Sequence, residues 1–333
     1  MPEPKVIAAI NAQRAQLLAH EAETMREMAS RWMKVEDALR AGMLELAIYL
    51  DELRLKGEAI TPARLMQMDR YKALIADARA QHEQYSRWLA DSLADDQRAL
   101  VQQGITDAQG LITAAMQDAR LKSMIFDRIN VSAVEFMIGF AADGSPLYDL
   151  LRASYPESVV RLTDALIQGI ASGKGPRATA QRMVEDMAGN LDRALLIART
   201  EQLRALRAGS LEQMDQSGVV SGYIRRAQLT PATCPACLAL DGKEQDTSEV
   251  FASHPACRCF AQPKLKYGKT PSFPSGVEWF ETLDPDAQFT ILGKSRYELF
   301  KNGQLDWGNA AKIHNDPVWG PTIKQGTIED LTR

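Results

Sequence analysis

The stretch from Cys234 to Cys259 constrains this chain more than any other. It reads Cys234-Pro-Ala-Cys237 and later His254-Pro-Ala-Cys257-Arg-Cys259, and it holds all 4 cysteines of the 333-residue sequence. A Cys-x-x-Cys turn aims two thiolates at one point, and zinc binds four such soft or borderline ligands tetrahedrally. The candidates Cys234, Cys237, His254, Cys257 and Cys259 exceed that number by one. Two ligand sets are open: the four cysteines, or three of them with the histidine. Four protein ligands leave no position for a catalytic water, so the expected ion is a structural zinc. Reduced structural cysteines without a metal and two disulfides are the rival uses of these residues. The sequence opens on a polar amphipathic segment rather than an apolar secretory signal, which sets the expectation of a reducing cytoplasm and disfavours disulfides.

Composition narrows the function. Hydrophobic residues make up 45% and charged residues 25%, with a net charge of −4, so a core is affordable and no bulk positive charge draws the chain to nucleic acid or an anionic membrane. No apolar run approaches the roughly 20 residues needed to span a bilayer.

Periodicity predicts helices for most of the chain. From Lys5 to Lys56, Met25, Met28, Trp32, Val35, Leu39, Met43, Leu46, Leu50 and Leu53 recur at steps of three and four, and Gly57 follows as a stop. Thr61-Pro62 opens a second long helix, with a capping hydroxyl followed by proline in the first turn. Its stripe, through Leu65, Met68, Ile75, Ala78, His82, Tyr85 and Leu89, runs to Gln103, where Gly104 is expected to close it. Residues 5–103 are therefore predicted to form an antiparallel helical hairpin, with His82 buried between helices rather than acting as a ligand. Shorter helices are predicted over 107–127, 133–140 (opened by Ser132 and Glu135), Leu147 to Tyr155, and 157–171. Gly173-Lys174-Gly175-Pro176 has neither a preceding strand nor the remaining Walker positions, so it reads as a spacer. The helix from Asn190 to Gln216 carries Arg199 and Glu201, about 200° apart and unable to pair with each other. They are either solvated charges or a buried salt bridge docking the helix onto the cysteine module.

After Gly218, Val219 to Ala227 is β-branched and aromatic, the pattern of a strand, and Asp241-Gly242 marks a turn. Residues 263–276 read as an extended linker, and Asp284-Pro285 and Ser295 with Glu298 open short C-terminal helices ended by Gly293 and Gly303. The expected fold class is mainly α: a long N-terminal helical hairpin and a helical middle region, followed by a small zinc-stabilised α+β module and short C-terminal helices. The expected boundaries are a hairpin arm over 1–104, a helical domain over 105–217, the zinc module over 218–262, a linker over 263–276, and short helices with an extended tail over 277–333.

Taken together, Ala198-Arg-Thr-Glu201, the strand with Tyr223-Ile-Arg225, Cys234-Pro-Ala-Cys237 with Asp241-Gly242, and His254-Pro-Ala-Cys-Arg-Cys259 resemble the phage Mu F-like minor head proteins, also called phage head morphogenesis proteins. The stretch from Trp279 through Gln288-Phe-Thr-Ile-Leu-Gly293 to Gly303 is similar to the segment that follows this module in many members. The resemblance covers residues 145–310. It implies a non-enzymatic minor component of a tailed-phage head, made in the host cytoplasm and carried in the virion. Its implied partners are the portal protein, the major capsid or scaffold protein, and packaged DNA, and its implied roles are procapsid assembly and DNA packaging or ejection. The family often carries an acidic residue just before the first cysteine pair, where this chain has Thr230-Pro-Ala-Thr233.

Rival classes make distinct demands. A zinc-dependent nuclease needs a histidine base beside an open metal and a basic cleft, and the 4 histidines, His20, His82, His254 and His314, are scattered. A DNA-binding head component without catalysis would bind DNA in a steeply salt-dependent way, although the segment 218–276 has only a small excess of basic residues. An effector fused to this module would need a catalytic pattern after Cys259, and none is present there.

Overall fold

The computed structural model describes residues 4–116, 132–153, 155–267 and 270–332. The expected fold class is found: long N-terminal helices, a helical middle region, a small sheet beside the cysteines, and short C-terminal helices. The helices are α1 (Pro4–Leu55), α2 (Pro62–Gln67), α3 (Asp69–Ala115), α4 (Ser132–Glu135), α5 (Leu147–Arg152), α6 (Tyr155–Ala171) and α7 (Pro176–Gln216). The chain divides into two compact units. One comprises Ala19–Ala94 and Ser145–Ala198, and the other Met1–Leu18, Asp95–Gly144 and Arg199–Arg333.

In the first of these units, α1 and α3 run antiparallel. Tyr49 lies under Arg70, Trp32 packs edge-on against His82 and Tyr85, and Arg31 covers Trp88, so positions rise along one helix as they fall along the other. Trp32, Leu39, Met43, Leu46 and Leu50 are buried on α1, and Leu74, Ala78, Leu89 and Leu93 on α3. The predicted pause after Lys56 is present. Gly57 takes φ +78°, and the Thr61 hydroxyl accepts the Arg64 N–H at the start of α2. The pair is not a bare arm, because the later helices of the same unit pack on it: Tyr71 and Thr163 share a 2.8 Å hydrogen bond, and the Tyr155 hydroxyl donates to the Ile75 carbonyl at 3.0 Å. Leu147 to Arg152 closes before Tyr155, which starts α6 instead of ending the preceding helix.

His82 is buried between Trp32 and Tyr155, as expected. Desolvation lowers its pKa to about 4, so it is neutral at pH 7.

The other unit corrects the reading of Gly104. It does not end a helix; α3 passes through it to Ala115. A Cβ there would lie 2.0 Å from the Leu206 carbonyl oxygen, and one at Gly209 would lie 2.1 Å from that of Val101. The two glycines let α3 and α7 cross with backbones in contact, which outweighs the entropic penalty of glycine in a helix. The predicted 107–127 helix is thus a continuation of α3 as far as Ala115, and its part beyond Met116 lies outside the described residues. The helix expected over 133–140 is only the single turn α4, followed by turns.

The sheet of this unit is antiparallel in the order β2 (Glu244–Gln245), β1 (Val220–Arg226), β3 (Phe260–Leu265). Tyr223 pairs with Gln245 on one side and Pro263 on the other. Helix α8 (Pro235–Leu240) follows β1. In the C-terminal part, Ser275 and Glu278 form a capping box on α9 (Gly276–Glu281), Asp284 caps α10 (Pro285–Lys301), and Gly293 breaks α10 with φ +69°. The tail from Asn315, expected to be extended, instead contributes to a hairpin of β4 (Ala311–Asp316) and β5 (Gly320–Gln325), after which α11 (Ile328–Leu331) closes the chain. Ile323 of the hairpin is buried with Ala236 of α8 and Ala252, and Trp307 packs edge-on against Phe280. No helix among the described residues is long and apolar enough to cross a membrane.

Candidate metal centre

Strand β1 delivers the chain to Cys234, which caps α8: its sulfur accepts the Cys237 N–H at 3.4 Å, and Pro235 occupies the first turn. The far end of α8 is fastened by Asp241, whose carboxylate accepts the Ala227 N–H at 2.6 Å and pairs with Arg226 at 3.4 Å. The second set of candidates comes from the loop between Phe251 and β3. In that loop Ala256 takes φ +56°, a left-handed conformation costly for a residue with a Cβ. Its N–H donates to the Thr200 hydroxyl of α7 at 3.0 Å, fixing the backbone between His254 and Cys257.

All five predicted residues meet. His254 Nε2 lies 3.4 Å from Cys234 Sγ and 3.3 Å from Cys237 Sγ, and Cys237 Sγ lies 3.7 Å from Cys257 Sγ. Two overlapping clusters result, Cys234 with Cys237 and His254, and Cys237 with Cys257 and Cys259, sharing the Cys237 sulfur. A metal at about 2.3 Å from sulfur and about 2.0 Å from nitrogen sets tetrahedral edges of about 3.5 to 3.8 Å, and the observed separations lie close to those values. His254 Nδ1 donates to the Pro255 carbonyl at 2.9 Å, which fixes the ring with Nε2 toward the sulfurs, so that Nε2 is the atom that would bind a metal once its proton is displaced. The four cysteines are free thiols, with no disulfide among them. The centre is positioned to hold a metal ion.

Proton sharing follows from this crowding. Hydrogen bonding with Cys237, and next with His254, lowers Cys234 to about 5 against the opposing effect of burial. Cys257 is held well below the usual thiol range, first by Cys237 and then by Cys259. Cys237 is pushed up because it donates to Cys234, Cys257 and Cys259. Hydrogen bonds with Cys234 and Cys257 raise His254 to about 10. A bound cation would take the place of these shared protons.

Two arginines back the sulfurs. Arg225 of β1 is buried, donates to the Ala252 carbonyl at 2.8 Å, and reaches Cys257 Sγ at 3.8 Å. Its guanidinium and that of Arg207 on α7 lie 4.2 and 5.2 Å from the centre of the Phe251 ring, which stacks on Tyr223. The sequence pattern shows Arg225 only as part of a strand and gives no sign of Arg207. Of the pair Arg199 and Glu201, Glu201 is fully buried and pairs with Arg204 at 2.6 Å, while also accepting from Gln97 of α3 at 3.1 Å. Its buried salt bridge therefore lies within α7 and not with the cysteine module; Thr200 makes that link. His314 lies in β4, 4.0 Å from Asp316.

These features define a mainly helical protein with a small α+β module organised around a cysteine and histidine centre. Residues 161–262 match the model of the family described as phage Mu protein F like protein. This segment, which contains α7 with Ala198 to Glu201 and all five clustered residues, is similar to that family in the part of the chain where the resemblance was read from the sequence. No curated protein and no solved structure matches.

Proposed function

We propose that this chain is a non-catalytic minor component of a tailed-phage head, acting beside the portal in procapsid assembly and in DNA packaging or ejection. Its cysteine and histidine centre holds one structural zinc. The observation that carries this reading is the family match over residues 161–262, which spans the whole centre. Zinc suits the soft donor set, and four of Cys234, Cys237, His254, Cys257 and Cys259 fill its tetrahedron. The ion then closes a module whose three-stranded sheet includes a two-residue edge strand. Its partners are the portal protein and the major capsid or scaffold protein, and its location is the interior of the virion.

The test is to purify assembled heads from cells expressing the phage morphogenesis genes and to measure this chain by mass spectrometry and zinc by elemental analysis. The expected result is a fixed low copy number with the portal and one zinc per chain. Absence from heads, with the free protein cutting DNA in a metal-dependent reaction, would instead favour a nuclease.

A further inference from the structure

We infer that Cys234, Cys237, His254 and Cys257 are the four ligands of the metal and that Cys259 remains an unbound thiol beside it. The inference rests on the zinc reading above and chooses among its five candidate ligands. Two segments supply the four residues by the same device. Cys234-Pro-Ala-Cys237 and His254-Pro-Ala-Cys257 both place Pro-Ala between a first donor and a cysteine three positions on. The first is the capped opening turn of α8. The second is a turn closed by the Cys257 N–H, which donates to the His254 carbonyl at 3.1 Å, with Ala256 at φ +56°. Each turn brings its two end residues together, and two such turns facing each other supply the corners of a tetrahedron.

Contacts join those corners. Cys234 and Cys237 hydrogen-bond to each other, and His254 Nε2 lies 3.4 and 3.3 Å from their sulfurs. Cys257 meets Cys237 at 3.7 Å and shares a hydrogen bond with His254. Cys237 and His254 thus each touch the other three members, so one ion can reach them all. Cys259 meets Cys237 and Cys257, at the buried edge of this set. Arg225 stands over both Cys257 and Cys259 and does not separate them. Their other neighbours do. Cys257 ends the turn that carries His254, whereas Cys259 follows that turn and lies in the wall of a cavity lined mainly by apolar side chains, among them Leu111, Leu203, Leu206 and Met214. A neutral thiol packs in such a wall as a small hydrophobe, while a metal-bound thiolate would turn charge toward it.

The test uses the full chain, loaded with zinc for X-ray absorption and with cobalt(II) for its thiolate charge-transfer band. The wild type is expected to show a first shell of three sulfurs and one nitrogen, a measurement that needs no variant. Cys257→Ser should remove about a third of the cobalt thiolate absorption, one ligand sulfur of three, and Cys259→Ser should leave it unchanged. Cys259→Ser should also keep zinc affinity within about tenfold, the lower bound for an outer-shell partner, while His254→Ala weakens it by more than about a hundredfold. A four-sulfur shell in the wild type, or loss of about a third of the thiolate absorption in Cys259→Ser, overturns the assignment while leaving a metal centre standing. A wild-type chain that takes up neither ion overturns the zinc reading itself and this assignment with it.

Discussion

The helical unit of Ala19–Ala94 and Ser145–Ala198 and the sheet module of the other unit solve the same problem by opposite means. The first distributes its stabilisation over many equivalent burials, with Leu39, Met43, Leu46, Leu50, Leu89 and Leu93 all at or near zero exposure. Each contributes on the order of 2 kcal/mol, and no single one is indispensable. The second places Arg225, Arg226, Asp241 and Gln262 in its interior and gathers its sulfurs at one point. Buried polar groups bring little net stability unless every partner is present. A distributed core degrades gradually under mutation, whereas a concentrated centre fails as a whole.

The sharpest test of this contrast removes the centre. Cys234→Ser with Cys237→Ser, or chelation of the metal, is expected to cost the module on the order of 10 kcal/mol, the scale of structural zinc sites, and so unfold it. Hydrogen exchange should then lose protection over residues 219–262 while Ala19–Ala94 stays protected. Protection retained in both regions would show that packing alone holds the module. The reciprocal lesion is Leu46→Asp, which puts an unpaired charge into a fully buried position. The expected loss is about 4 kcal/mol, read as a lowered denaturation midpoint of the helical signal with metal content unchanged. An unaltered midpoint would mean that Leu46 is not part of the core that the unit depends on.

What the sequence revealed divides along the same line. Stripes, caps and stops are local, so the burial of Trp32 and Leu46, the Thr61 and Asp284 caps and the breaks at Gly57 and Gly293 could all be read in advance. The five residues of the centre could be read because their spacing is itself the signal. Gly104 was misleading because a glycine that stops a helix and one that admits a crossing helix look alike in one dimension; its reason for being there is Leu206, a hundred positions away. The same distance hides Thr200 and Arg207, whose contacts with Ala256 and Phe251 come from α7. The β4–β5 hairpin was obscured because Lys312, His314, Asn315 and Asp316 dilute the apolar alternation of its first strand, and its buried anchor, Ile323, lies in the second.

A pH titration probes the helical unit without disturbing its packing. His82 has a folded pKa of about 4 against an ordinary value of 6.5, so between these values the unfolded chain binds the extra proton. Stability contributed by the neutral ring is therefore complete above pH 6.5 and is lost as pH falls toward 4, by at most about 3 kcal/mol. His82→Phe should flatten this part of the denaturation profile of the helical signal. An identical slope in that variant would place its origin in other groups.

The smallest effect tests how the centre is held in shape. Thr200→Val keeps the side-chain volume but removes the acceptor for the Ala256 N–H, a loss of about 1 kcal/mol. Because Ala256 is held in a left-handed conformation between His254 and Cys257, that loss should fall on the centre itself rather than on α7. Transfer of the metal to a chromogenic chelator should become about fivefold faster, and Thr200→Ser should restore the original rate. A general loosening of α7 would instead lower helical stability in step with metal release. An unchanged release rate would mean that Cys257 and its neighbours are held by the sheet alone, and that the centre is independent of the helix that carries Thr200.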